Sequence, residues 1–181
     1  MRLFNQWQRI LNNRDLKTRM DKLQPLPRLT PDKAKTIALI FDATLLENRK
    51  VIEAFAQKLK QAGKRVTLFA FLNHKNKISL PFRFFNKKDV DWRGMPKGFE
   101  VERFLTDSYD LLYAFYIGEN LPLEAVGALT KARFKIGAFN GHALLYDVMI
   151  DTQKIDLQYL ISQTEYFLTT ITKSQDELSA V

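Results

Sequence analysis

The sequence predicts an α/β domain, a three-layer fold with a mainly parallel sheet of four or five strands in a Rossmann-like or flavodoxin-like arrangement. Three observations carry that prediction. Leu111–Ile117 and Phe134–Phe139 are apolar runs separated by a helical stretch, Leu121–Lys131. Strands joined through a helix run parallel, because no hairpin can connect them. The same strand–helix–strand order occurs earlier, from Thr36–Phe41 to Arg65–Leu72. Finally, Leu111–Ile117 has almost no polar alternation, the pattern of a strand covered on both faces.

The elements follow in order. Residues 2–13 form a basic amphipathic helix, with Leu3, Phe4, Trp7, Ile10 and Leu11 on one face. Three prolines between Gln24 and Pro31 then enforce an extended connector. Residues 1–31 are thus expected as helix and connector, and 32–181 as a single α/β domain. After the strand Thr36–Phe41, Thr44 and Glu47 have capping-box spacing, with Asn48 as the alternative cap. The helix that follows carries Val51, Ile52, Phe55, Leu59 and Ala62 inward, and Gly63 ends it in a left-handed turn. Arg65–Leu72 is the second strand. Ile78–Phe85 reads as a short edge strand, because Pro81 cannot donate to a ladder. Asn86–Gly98 is irregular, and Phe99–Leu105 is a short helix. In the central unit Pro122 and Glu124 suit a helix start, and Lys131 and Arg133 a helix end. Tyr146–Ile150 is a further short strand. Asp156 caps a last helix with Leu157, Leu160, Ile161, Phe167, Leu168 and Ile171 inside, and the tail frays from Lys173.

Composition excludes several classes. At 181 residues and 46% apolar content, the chain can bury a core and is not a disordered polymer. It has no cysteine, which removes disulfides, thiolate metal sites and cysteine nucleophiles. No run reaches the roughly 20 apolar residues of a membrane span, and the N-terminus lacks a signal-peptide core. A cytoplasmic protein is expected. The net charge of +8 is concentrated: residues 1–35 hold nine basic and three acidic side chains, and so contribute +6.

In open parallel sheets, ligands bind outside the strand carboxyl ends, where strand order reverses. The residues at those ends are Asp42 and Thr44, Asn73 and His74, Gly118, Glu119 and Asn120, then Asn140, Gly141 and His142. Both histidines of the chain fall on this rim. Asp42, His74 and His142 are therefore the candidates for acid–base chemistry or divalent-metal binding, although polar residues suit any exposed turn. The remaining rim positions are candidates for ligand binding. Phosphate-binding glycine motifs and the G-x-S-x-G elbow are absent, so no cofactor is expected, and no metal site is assigned. Asp42 sits where some hydrolases carry a carboxylate nucleophile, yet Ala43-Thr44-Leu45 lacks the second Asp of that pattern. Lys75, Lys77, Arg83, Lys87, Lys88, Arg93 and Lys97 lie among Phe82, Phe84, Phe85 and Trp92. That mixture can grip a nucleic-acid backbone and stack bases; the alternative is aromatic core beneath a solvated charged loop.

Tyr109-Asp110-Leu111-Leu112, the run Ala128–Gly137 and Tyr146–Ile150 resemble an uncharacterised family of small Bacteroidetes proteins, a domain of unknown function. The resemblance covers nearly the whole chain and implies a fold without supplying catalytic residues. Residues 109–137 also resemble the N-terminal half of heptosyltransferase-type glycosyltransferases. The Gly-Asp turn of those enzymes is replaced by Phe41-Asp42-Ala43-Thr44, and their second, sugar-nucleotide-binding domain is not expected here.

Three functions are consistent with these readings. The first is a non-catalytic protein that binds a partner or small ligand at the strand rim. The second is an enzyme, glycosyltransferase-like or hydrolase-like, using Asp42, His74 and His142. The third is peripheral docking of the basic arm on an anionic membrane or nucleic acid. Leu3, Phe4 and Trp7 offer a surface for a protein partner or a second copy.

Overall fold

The structure, a computed structural model, describes residues 14–75, 78–139, 145–151 and 156–179, with side chains to residue 171. Six strands form one sheet: β1 Thr36–Asp42, β2 Arg65–Leu72, β3 Arg83–Asn86, β4 Ser108–Phe115, β5 Lys131–Ala138 and β6 Val148–Ile150. Their order is β3-β2-β1-β4-β5-β6, and every pairing is parallel. The sheet thus has one strand more than the upper expectation, because both flanking strands are short enough to be ambiguous in sequence.

Helices cover both faces. On one side α2 (Leu46–Gln61) and α5 (Leu157–Ser179) pack Ile52, Phe55, Leu160 and Ile161 onto Leu39, Phe41, Leu111 and Phe115. On the other, α3 (Phe99–Thr106) and α4 (Leu121–Leu129) pack Val101, Phe104, Leu123 and Val126 onto Ile40, Phe69, Leu112 and Ala114. Residues 14–20 form a further helix, α1, outside the expected span 2–13. Its Leu16 is buried against Ala125, Ala128 and Leu129, with Met20 and Leu23 beside it. The sheet lies under α4 and α1 over it, so Leu123 through Leu129 are all buried. A helix that is apolar all round is the sequence signature of such a position. The expected helix at 2–13, with Leu3, Phe4 and Trp7, lies outside the described residues.

Several boundaries differ from expectation. β4 starts at Ser108 and ends at Phe115, and α4 stops at Leu129. β5 begins at Lys131, so Lys131 and Arg133 are strand residues and do not finish a helix. Periodicity hides this start because its polar side chains have tertiary partners: Arg133 Nε donates to the Pro27 carbonyl at 2.8 Å, and Lys135 Nζ donates to the Gly127 and Ala128 carbonyls. Residues 78–82 are not strand, and only Arg83–Asn86 pairs with β2. Thr44 does not cap α2, whose N-cap is Leu45 without a side-chain hydrogen bond. Ala56, and not exposed Ala62, completes its inner stripe. Asp156 does support α5, accepting from the Gln158 N–H at 2.9 Å, and that helix continues past Lys173 to Ser179.

Two hydrogen-bond clusters hold β1 against β4. At the amino ends, Asp110 Oδ2 accepts from the Lys35 and Thr36 N–H groups, both at 2.9 Å, and from the Thr36 hydroxyl at 3.0 Å. Burial works to raise the Asp110 pKa, but the bonds from Thr36 and Lys35, with Arg133 nearby, outweigh it and hold the carboxyl below its usual range. At the carboxyl ends, Asn120 Nδ2 donates to Asp42 Oδ2 at 3.1 Å.

One aromatic side chain threads the α4–sheet interface. Tyr146 is 7% exposed, and its hydroxyl shares a 2.7 Å hydrogen bond with that of Tyr116. Burial pushes the Tyr146 phenol pKa up. The ring lies against Gly127 and Gly137. A Cβ on Gly127 would fall 2.6 Å from the Tyr146 hydroxyl, and one on Gly137 would overlap ring carbons outright. Gly137→Ala is therefore expected to cost about 2–3 kcal/mol by overpacking. Most of that cost should vanish in a Tyr146→Ala background, because the two sites are in contact. A double-mutant cycle by urea unfolding checks this; equal costs in both backgrounds would contradict it.

Candidate functional site

Strand order reverses between β1 and β4, so the rim above that pair corresponds to the crevice at which open parallel sheets commonly hold a ligand. The chain leaves β1 through Asp42 into the turn 43–45 and leaves β4 through Tyr116 into the turn 117–120. Both turns are tied to the scaffold. Arg49 Nε donates to the Ala43 carbonyl at 2.6 Å, and Asn48 Nδ2 to the Asp42 carbonyl at 3.1 Å. The Ala43 N–H donates to the Phe71 carbonyl at 2.8 Å. Gly118, at φ +74, supplies the left-handed step that lets β4 turn over into α4.

The structure brings four predicted rim residues together in pairs. Asp42 meets Asn120 as described, and its Oδ1 accepts from the Thr44 N–H at 2.8 Å. Thr44 Oγ1 accepts from the Asn73 N–H at 3.0 Å, which joins the β1 and β2 turns. Asn120 also serves α4: its Oδ1 accepts from the Leu123 N–H at 3.2 Å, while Glu124 Oε1 accepts from the Asn120 N–H at 3.3 Å. Glu124 is 4% exposed. Its burial is offset by that bond and by its place in the first turn, where the helix dipole favours a negative charge. Both Asp42 carboxylate oxygens therefore have internal partners. Gly118 and Glu119 are exposed on the same turn.

The proposed Asp42, His74 and His142 set is not assembled by these contacts. Asp42 makes its carboxylate bonds to Thr44 and Asn120. The backbone of His74 is held in the β2 turn, its N–H donating to the Leu72 carbonyl, and its buried Nδ1 has no partner among the described residues. Asn140, Gly141 and His142 lie outside the described residues. No group of three or more His, Asp or Glu residues suited to a metal is present among the described residues.

Beside the exposed Asn73, Gly118 and Glu119, the rim also exposes large apolar side chains. Leu45 is 59% exposed, Leu46 54% and Phe139, just past the end of β5, 44%. Sequence reasoning missed the two leucines, because it treated the stretch after Asp42 as a capping box. The available signal was an adjacent Leu-Leu pair at an exposed helix start.

The basic, aromatic segment between β2 and α3 divides. Phe85 is 1% exposed and stacks on Phe69, Phe82 packs edge-on to Phe41, and Phe84 joins the α2-side core. Trp92 remains 64% exposed, with the Arg93 guanidinium over its ring at 5.7 Å. Arg93 pairs with Asp15 of α1 at 2.5 Å and with Asp91 at 3.3 Å, and so ties the loop to the N-terminal helix. Phe85 is thus core, while Phe82 and Phe84 are half-buried against the α2-side core.

Away from the rim, Lys135 presents a buried ammonium to the last turn of α4, where its two carbonyl bonds, at 3.0 and 2.8 Å, suit a cation. Burial pushes its pKa down to about 8, against the opposing charge of Asp147.

Residues 8–171 match a family described as a family of unknown function, DUF6913. This agrees with the resemblance to an uncharacterised family. No curated protein and no solved structure matches the chain. Among the described residues, no helix is long and apolar enough to cross a membrane.

Two outcomes test this electrostatic frame. Asn120→Ala removes both the Asp42 partner and the α4 cap, and should lower stability by about 1–2 kcal/mol. Asn120→Asp keeps the cap but sets a second carboxylate against Asp42, so in urea unfolding at pH 7 it should be no more stable than Asn120→Ala. For Lys135, the folded pKa lies below the unfolded one. Between pH 8 and about 10 the unfolded chain retains a proton that the folded chain has lost, so stability rises with pH. The rise should reach at most about 3 kcal/mol. Above that window the buried Tyr109, Tyr113 and Tyr146 phenols, all raised by burial, reverse the slope. Lys135→Met should flatten the rise; an unchanged profile would rule Lys135 out as its source.

Proposed function

We propose that this chain, which belongs to the family of unknown function DUF6913, is a non-catalytic binding protein that engages a partner protein through its strand carboxyl-end rim. One observation carries the reading: the polar groups at the switch point bond to one another, while Leu45, Leu46 and Phe139 face outward around them. A catalytic carboxylate needs an oxygen directed at substrate and a proton carrier in hydrogen-bond reach. Asp42 bonds instead to the Thr44 amide and the Asn120 side chain, two groups that position the turns. Exposed leucines on a rigid, tied turn suit the apolar centre of an interface. Arg49 and Asn48 hold that turn in place before a partner arrives, so little ordering cost remains for binding.

A photo-reactive side chain placed at Leu46 in the full-length chain, expressed in its native cells, should crosslink to a discrete partner protein. The same group at Glu53, on the solvent face of α2, should not. Leu45→Ser should reduce the Leu46 product without lowering the melting temperature. The reading fails if position 46 gives no more product than position 53. It also fails if the purified chain shows turnover that Asp42→Asn abolishes.

A further inference from the structure

The sheet has two matching gaps. β3 pairs with β2 only from Phe69 to Leu72, and β6 pairs with β5 only from Ile136 to Ala138. The amino-terminal halves of β2 and β5 therefore have no strand beside them on the outer side. At β5 the chain dresses its own gap. Pro25, Leu26 and Arg28 line it, the Pro27 carbonyl accepts from Arg133 at 2.8 Å, and the outward Lys135 N–H donates to Asp147 at 2.8 Å. A cavity of about 340 Å³ is left.

The β2 gap is twice as large, about 710 Å³. The Arg65 N–H donates to the Lys35 carbonyl on the β1 side. The alternation of a parallel ladder then turns the Val66 and Leu68 N–H groups outward. No strand among the described residues pairs with β2 on that side at these two positions. The two walls differ in chemistry. Val66, Leu68, Leu80, Phe82 and Phe84 continue the apolar core beneath α2. Thr67, Arg83 and Glu100 line the α3 side. Arg83 Nη1 and Glu100 Oε2 are buried there with no hydrogen-bond partner, and buried polar atoms in native proteins are rarely left so. Lys60 completes the lining with a second cation.

We propose that this gap is a docking slot for an extended, acidic segment of a partner protein, which adds a strand to the outer edge of β2. Strand addition supplies acceptors for the two outward amides. Side chains of an added strand alternate between faces, so apolar residues meet the α2-side wall and polar residues meet Arg83 and Glu100. Among the lining residues two cations face one carboxylate, and Arg83 keeps Nη1 without a hydrogen bond beside its 3.6 Å pair with Asp107, which selects acidic side chains for the polar positions. At the twin gap the Pro25–Arg28 segment of the chain itself lies along the β5 edge. The slot lies at the β2 edge of the sheet, apart from the leucine rim above β1 and β4, and does not depend on it.

The full-length chain is screened against a display library of random heptapeptides, and the enriched sequences are synthesised. The expected consensus alternates apolar and acidic residues. Binding should slow hydrogen exchange at the Val66 and Leu68 amides. Arg83→Gln or Lys60→Glu should weaken it at least about tenfold, as loss of a charge-assisted contact does. Lys60→Glu leaves the Arg83–Asp107 pair intact and decides the matter if Arg83→Gln unfolds the protein. The proposal is overturned by no enrichment, by a consensus without alternation, or by peptides that leave both amides unprotected. A concentration-dependent dimer that protects the same amides would overturn it in favour of a second copy as the occupant.

Discussion

The pairing of β1 with β4 is the constraint from which the rest of the domain follows. It is where the strand order turns back on itself, and a carboxylate clamps it at each end. Asp110 gathers three donors from Lys35 and Thr36 below the sheet, and Asp42 meets Asn120 above it. Neither carboxylate is free to leave water unless donors await it. Each therefore locks its strand end to residues more than 70 positions away in the chain. With that pair set, β2 and β5 take their places outside it, and α2, α5, α3 and α4 have two apolar faces to cover.

The same constraint shapes the rim. In sheets of this order the crevice at the switch point commonly meets a ligand. Here Asp42, Thr44, Asn73, Asn120 and Glu124 connect neighbouring turns and cap α4. A polar set that satisfies itself rigidifies the edge it occupies. Rigidity suits a binding surface, and the leucines that flank it supply apolar area. Below the rim, the short β3 and β6 leave half of each adjoining strand uncovered. The connector deals with one of these edges, and the second is an opening with no strand paired to it among the described residues.

The strand–helix alternation was legible because each signal was local. Leu39, Ile40 and Phe41, or Leu111 through Phe115, form runs that only a strand buried on both faces requires. The edges were less legible. β3 and β6 span four and three residues, too few for any period to show. The start of β5 was masked by Lys131, Arg133 and Lys135, whose heads reach the Thr106 and Pro27 carbonyls and the end of α4. At the rim, position was legible from the fold rule, so Asp42, Thr44, Asn73 and Asn120 could be named. Their roles were not, because a capping-box spacing at Thr44 and Glu47 looks identical whether Thr44 caps its helix or accepts from Asn73.

By itself, the sequence determined the layers: apolar runs must be buried, and runs separated by helices must lie parallel. The enclosure of α4 emerged with the structure, where α1 covers the side that the sheet leaves open. Only the tertiary structure decided what each polar group does. A carboxylate is a nucleophile, a ligand or a clamp according to which donors stand within 3 Å of it. Asp42 and Asp110 each find a donor on an element far away in sequence, whereas the Lys135 ammonium donates to the end of the helix just before its strand. Only the tertiary structure likewise accounts for Gly127 and Gly137, whose missing side chains make room for Tyr146.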